Sequence, residues 1–182
     1  HPNNYDTTAR LGSVAGMDLA VVTGRGEPIV THWPQIGTPL VADEDVIQLG
    51  DRESEVAVAL DDWNPVMDVP VVGLTAQQLL GLGVDQVVRR VADRLNARGL
   101  DRVWLHVDLD VLDPSEFAGL LDPEPFGLPV AGLVAAIKAL TTKLPLSGAT
   151  LAAYAPNSEA GKIDDAPTLL RIVGALASNG KS

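Results

Sequence analysis

Apolar residues along the chain follow two different spacings, which predict alternating strands and helices. Short apolar runs rich in Val, Leu and Ile predict β-strands. Four such runs lie at 46–49, 69–72, 103–108 and 148–154. We expect them to be parallel strands of one sheet, because helical segments lie between them.

The helical segments carry apolar residues at every third or fourth position. Val84, Val87, Val88, Val91 and Leu95 define a helix over 84–98. A second helix is predicted to open at position 129, because proline is favoured in the first turn. Further helices are predicted at 17–22 and 165–177, the last with acidic residues and a proline at its start. The chain is therefore predicted to be an α/β protein.

Composition and charge narrow the possible functions. The 182 residues are 46% hydrophobic but only 4% aromatic, as expected for one domain with an aliphatic core. A net charge of −11 argues against nucleic acid or an anionic membrane as partner. No apolar run approaches the ~20 residues of a membrane helix. The absence of cysteine excludes disulfides, zinc–thiolate sites and thiol nucleophiles.

The segment WLHVDLDVLDP, residues 104–114, places aspartates at the end of a strand that otherwise has an apolar character. Asp108 and Asp110 are two residues apart, so on an extended backbone both carboxylates project to the same side. Two converging carboxylates repel unless a cation lies between them, and hard oxygen ligands suit Mn²⁺ or Mg²⁺. The alternative is that both aspartates cap amides of the following loop. Asp113, before Pro114, is expected to serve a turn, and His106 to be a hydrogen-bonded core residue.

A longer pattern around these aspartates resembles a known family. HVDLDVLDP, followed by DPEPFGL at 122–128, is similar to the ureohydrolases, the family of arginase, agmatinase and formimidoylglutamase. By this resemblance, Asp108 and Asp110 match the two metal-bridging aspartates of the family. Glu124 lies in the matching loop and is a candidate for lining the substrate site. The N-terminal HPN and GSVAGMDLA resemble another metal-binding segment, with His1 as a ligand and Asn3 as a weak candidate.

The resemblance implies an arginase-like, three-layer α/β/α domain with a mostly parallel sheet, spanning 1–182 and incomplete at its N-terminus. It implies a cytoplasmic hydrolase of linear C–N bonds in a small guanidino or amidino substrate. One or two Mn²⁺ ions would activate a hydroxide nucleophile, and the missing ligands disfavour the second ion. No nucleic acid or membrane partner is expected. A homo-oligomer is expected, or completion by a missing N-terminal segment.

Three positions depart from the family pattern. Asn3 replaces an aspartate, Ala15 a histidine, and Ala153 a glutamate that helps to hold the guanidinium group. We therefore assign no catalytic residue from the sequence. The alternative function is a catalytically silent family member or subunit with a degenerate metal site.

Overall fold

The computed structural model describes residues 16–52, 64–65 and 70–178. The chain divides into two compact units. The first unit comprises His1–Gln48 and Ser54–Leu74, and the second comprises Leu49–Glu53 and Thr75–Ser182. The described candidate site residues, Asp108, Asp110 and Glu124, lie in the second unit.

The first unit contains short elements and loops. Among its described residues, the helices are α1 (Asp18–Val22) and α2 (Pro28–Thr31), and the predicted helix at 17–22 is confirmed. Strands β1 (Ile47–Asp51), β3 (Val72–Thr75) and β2 (Asn64–Pro65) form a three-stranded sheet in that order, with β2 antiparallel to β3. Residues 49–51 of β1 and the last residue of β3 are counted with the second unit. Strand β3 begins later than the predicted start at 69, because Pro70 cannot donate a ladder hydrogen bond.

The second unit is built on a pair of parallel strands, β4 (Val103–Asp108) and β5 (Leu146–Ala152). Their register places Val107 beside Leu151 and Asp108 beside Ala152. The bounds of β4 agree with the prediction. The α/β class is confirmed, but the described strands hydrogen-bond as two separate sheets rather than as one.

Four helices accompany these strands in the part of the unit that the structure describes: α3 Ala76–Leu82, α4 Val84–Ala97, α5 Val130–Lys143 and α6 Glu159–Ala177. The sequence analysis missed α3, although Thr75 and Gln78 form a capping box that marks its start. Helix α6 begins earlier than predicted because the Ser158 hydroxyl caps it, accepting from the Gly161 amide at 2.9 Å. Pro167 therefore lies inside the helix.

The core of the second unit lies on one face of the β4–β5 pair. Val107 packs with residues of α5 and α6, including Ile137 and Ile172. The apolar character of residues 103–108 suggests a strand in a sheet interior, but Trp104, on the opposite face of β4, is 62% exposed. Alternation along a strand fixes which residues share a face, but it does not fix whether that face is covered. None of the described helices has the length and apolar character needed to cross a membrane.

Candidate metal centre

The aspartate segment lies where β4 ends. Asp108 is the last strand residue, and a short 3₁₀ turn, Leu109–Val111, follows it. The Asp108 Oδ1 atom accepts a hydrogen bond from the Asp110 amide at 2.9 Å. The two aspartates are therefore brought together by a turn that Asp108 caps, and not by a continuous extended backbone.

Asp110 is held by a loop eleven residues further along. Its Oδ1 atom accepts from the amides of Leu121 at 2.8 Å and Asp122 at 3.1 Å. Burial raises the pKa of the Asp110 carboxyl, the amide of Asp122 opposes this, and the charge of Asp108 raises it further. A cation between the two carboxylates would offset both the burial of the Asp110 charge and its repulsion by Asp108.

Each of the two carboxylates thus has one oxygen engaged by backbone amides. The second oxygen, Oδ2 in both, has no hydrogen-bond partner among the described residues. The amide-capping interpretation and the cation interpretation are compatible, because they use different oxygens. The pair offers hard carboxylate donors of the kind that Mn²⁺ prefers.

The described residues do not supply a complete metal-binding set. No group of three or more His, Asp or Glu side chains suited to a metal occurs within 16–52, 64–65 and 70–178. His1, Asn3 and Ala15 lie outside these residues. The predicted ligand set is therefore represented in the described structure by Asp108 and Asp110, and His1 stays a prediction.

Arg52 connects the aspartate segment to the loop of Glu124. One guanidinium nitrogen, Nη2, donates to the carbonyl oxygen of Asp110, and Nη1 donates to the carbonyl oxygen of Glu124. Gly50 permits this approach, since a Cβ on it would overlap the side chain of Val111. The sequence alone assigned no role to Arg52, because a hydrogen bond between residues 58 positions apart leaves no local pattern.

The loop that carries Glu124 is closed at its base by backbone hydrogen bonds. The Leu128 amide donates to the Val111 carbonyl at 2.8 Å, and the Asp113 amide to the Leu128 carbonyl at 3.0 Å. The Asp113 carboxylate accepts from the hydroxyl and amide of Ser115, at 2.5 and 2.9 Å. The Ser115 hydroxyl, then its amide, lowers the pKa of the Asp113 carboxyl. Asp113 therefore serves a turn, as predicted.

Phe126, near the base of the Glu124 loop, has the left-handed backbone conformation that glycine normally adopts. Its φ is 65° and its side chain is 84% exposed. A bulky residue with positive φ is a backbone outlier. The amides of Phe126 and Gly127 both act on the Asp113 carboxylate and lower its pKa. The turn around this carboxylate is thus a physical reason for the left-handed conformation.

The two residues that follow β5, Ala153 and Tyr154, carry no carboxylate. Ala153 has a φ of 62° and offers no polar side chain where the family pattern has a carboxylate. Tyr154 forms a β-bridge with Leu120. Partial burial, followed by the charge of Asp165, raises the pKa of the Tyr154 phenol. This part of the site therefore lacks the side chain expected to hold a guanidinium group.

His106 is exposed on the same face of β4 as Asp108. Its Nδ1 atom forms a hydrogen bond with the Thr150 hydroxyl at 2.7 Å. The hydrogen bond was predicted correctly, whereas the assignment to the core was wrong. The other face of β4 is the one that packs against the helices.

Residues 12–174, most of the chain, match the model of the Arginase family. The chain belongs to the Arginase family. A curated arginase of Bacillus caldovelox is 32% identical over 133 residues, covering 71% of this chain and 39% of the relative. The arginase of Staphylococcus aureus strain COL is 25% identical over 116 residues, covering 64% of this chain and 36% of the relative.

Solved arginase structures share the fold. The Bacillus caldovelox arginase, in its native structure at pH 5.6, superposes with a TM-score of 0.79 at 27% identity, covering all of this chain and 58% of that one. An Entamoeba histolytica arginase in complex with L-ornithine has a TM-score of 0.71 at 21% identity, covering 91% of this chain and 52% of that one. The arginase-like α/β fold is thereby confirmed. The chain spans little more than half of the length of these structures.

Proposed function

We propose that this chain provides part of a manganese centre that hydrolyses a C–N bond in a small guanidino or amidino compound. The observation that carries the proposal is the pair Asp108 and Asp110 at the end of β4. Each presents one carboxylate oxygen outside the amide hydrogen bonds that orient it. Membership of the Arginase family supports the same class of chemistry.

The residues of the chain would act mainly by binding and orientation. Asp108 and Asp110 would hold the metal, with His1 as a further ligand and Asn3 as a weak one. A bound divalent metal supplies hydroxide near neutral pH by lowering the pKa of its water. The Glu124 loop would line the substrate side. A homo-oligomeric state and a cytoplasmic location are parts of this proposal that follow from the family resemblance.

A catalytically silent relative with a degenerate metal site is the second candidate. The observation that favours it is Ala153, which places a methyl group where the family pattern has a carboxylate. A silent relative could bind metal at Asp108 and Asp110 without hydrolysing a guanidino compound. Metal binding and hydrolysis therefore need to be measured separately.

The experiment is a Mn²⁺ titration of the metal-free protein, followed by assays of product release from guanidino and amidino compounds. Asp108→Asn should abolish binding because it replaces a metal ligand. Asp113→Asn, the matched control, should retain it because its carboxylate serves the turn at Ser115. Stoichiometric manganese in the Asp108→Asn protein would remove the basis for the site. Metal binding without hydrolysis of any compound would favour the silent relative.

A further inference from the structure

Arg52 makes an unusual pair of contacts for a cationic side chain. Both of its terminal nitrogens donate to main-chain carbonyls, one at Asp110 and the other at Glu124. These carbonyls belong to two separate segments of the candidate metal centre. A single guanidinium therefore fixes the position of one segment relative to the other.

The same two segments are joined a second time by the Asp110 side chain. Its Oδ1 atom accepts from the amides of Leu121 and Asp122, which precede Glu124 in the same loop. Asp110 is consequently held from two directions, through its carbonyl oxygen by Arg52 and through its carboxylate by the loop. Arg52, Asp110 and the 121–124 segment form a closed ring of hydrogen bonds.

The ring leaves the Oδ2 atom of Asp110 outside its hydrogen bonds. Because both the backbone and Oδ1 of Asp110 are fixed, the direction of Oδ2 is fixed as well. Groups that orient a metal ligand typically contribute about 10–100-fold to metal affinity or activity. A lysine cannot reproduce the arrangement, because an ammonium group lacks the planar fork of donors that spans two acceptors.

We propose that Arg52 is a positioning residue of the metal centre, which sets the orientation of Asp110 and locks the Glu124 loop to it. The inference deepens the proposed function and rests on it for the identity of the metal. The hydrogen-bonded ring is formed by residues of the chain alone. Its integrity can therefore be measured independently of any metal or activity.

The test compares wild type with Arg52→Lys, Arg52→Met and the control Arg102→Lys. Arg102 is exposed, and the ion pair it forms is with its exposed neighbour Asp101. Amide hydrogen exchange by NMR in the metal-free protein reports on the ring at Leu121 and Asp122. Mn²⁺ affinity and the electron paramagnetic resonance line shape of the bound ion report on the metal centre.

We expect both Arg52 variants to exchange the Leu121 and Asp122 amides faster and to bind Mn²⁺ at least about tenfold more weakly. Helix α4, which supplies no hydrogen bond of the ring, should keep its protection in Arg52→Lys, and Arg102→Lys should match wild type throughout. Unchanged exchange and affinity in Arg52→Lys would overturn the positioning role, even if Arg52→Met fails to fold. If wild type binds no manganese, the proposed function fails, while the exchange rates still decide whether Arg52 holds the loop.

Discussion

Gly119 and Asp165 lie in direct contact within the second unit. A Cβ built on Gly119 would be 2.5 Å from Asp165 Oδ2 and 2.6 Å from the ring of Tyr154. Asp165 is only 6% exposed, so its carboxylate has little freedom to move away. The loop that binds Asp110 starts immediately after this contact, at Leu121. Gly119 is therefore a close-packing position next to the candidate metal centre.

Gly119→Ala is expected to destabilise the protein by about 1–3 kcal/mol, the usual cost of overpacking a buried contact. Denaturant unfolding of wild type and variant measures the difference. Gly174→Ala is the matched control, because Gly174 lies in α6 with no atom within 4 Å of the added Cβ. The control should gain roughly 0.5–1 kcal/mol from helix propensity. Equal effects of the two substitutions would refute the packing argument.

The Asp113 carboxylate should make stability depend on pH. Hydrogen bonds from Ser115 lower its pKa in the folded protein below the ordinary value of 3.8. The unfolded chain then binds the proton more readily, so this contribution is complete above the unfolded pKa and is lost as the pH falls through the folded pKa. The stability difference between wild type and Asp113→Asn should therefore shrink from neutral pH to below 3.8.

Unfolding measured at the two pH values checks this expectation. Ser115→Ala removes the hydroxyl that has the largest effect on the Asp113 pKa. This variant should show part of the same loss at neutral pH. A stability difference between wild type and Asp113→Asn that stays constant with pH would show that the carboxylate does not contribute through its charge.

Ile137 tests the core beneath β4. It is 2% exposed and belongs to the cluster that joins α5 to α6 and to β4. Ile137→Ala should cost about 2–5 kcal/mol, since it removes buried methyl groups and leaves a cavity. Leu170→Ala, at a position that is 71% exposed on α6, should stay within about 0.5 kcal/mol. Chemical denaturation compares both, and a larger loss for Leu170 would mean that α6 is packed differently.

Manganese should stabilise the folded protein through Asp108 and Asp110. A ligand that binds only the folded state adds about 2.7 kcal/mol at a hundred times its dissociation constant. The melting temperature of wild type and of Asp113→Asn should rise with Mn²⁺ and fall back with a chelator. The Asp108→Asn protein should not respond, and an equal rise in all three would point to binding elsewhere.

Local signals in the sequence determined several elements. The apolar residues of 84–98, with Gly99 after them, predicted α4, and the run at 103–108 predicted β4. The aspartates were identified as a candidate site because a carboxylate at the end of an apolar strand needs an amide or a cation. Apolar spacing alone did not predict α3 and placed the start of α6 too late, because the side chains of Thr75 and Ser158 cap these helices.

Other properties were decided only by the tertiary structure. Hydrogen bonds from Arg52 to Asp110 and from Leu121 to Asp110 join residues that are 58 and 11 positions apart, and no local spacing encodes them. The strand period likewise placed Trp104, His106 and Asp108 on one face, whereas the packing of α5 and α6 on the other face left this one exposed. The sequence therefore determined which side chains are able to bind a metal and which are apolar enough to be buried. The tertiary structure decided which of them meet, because hydrogen bonding and burial depend on neighbours that the chain brings together only on folding.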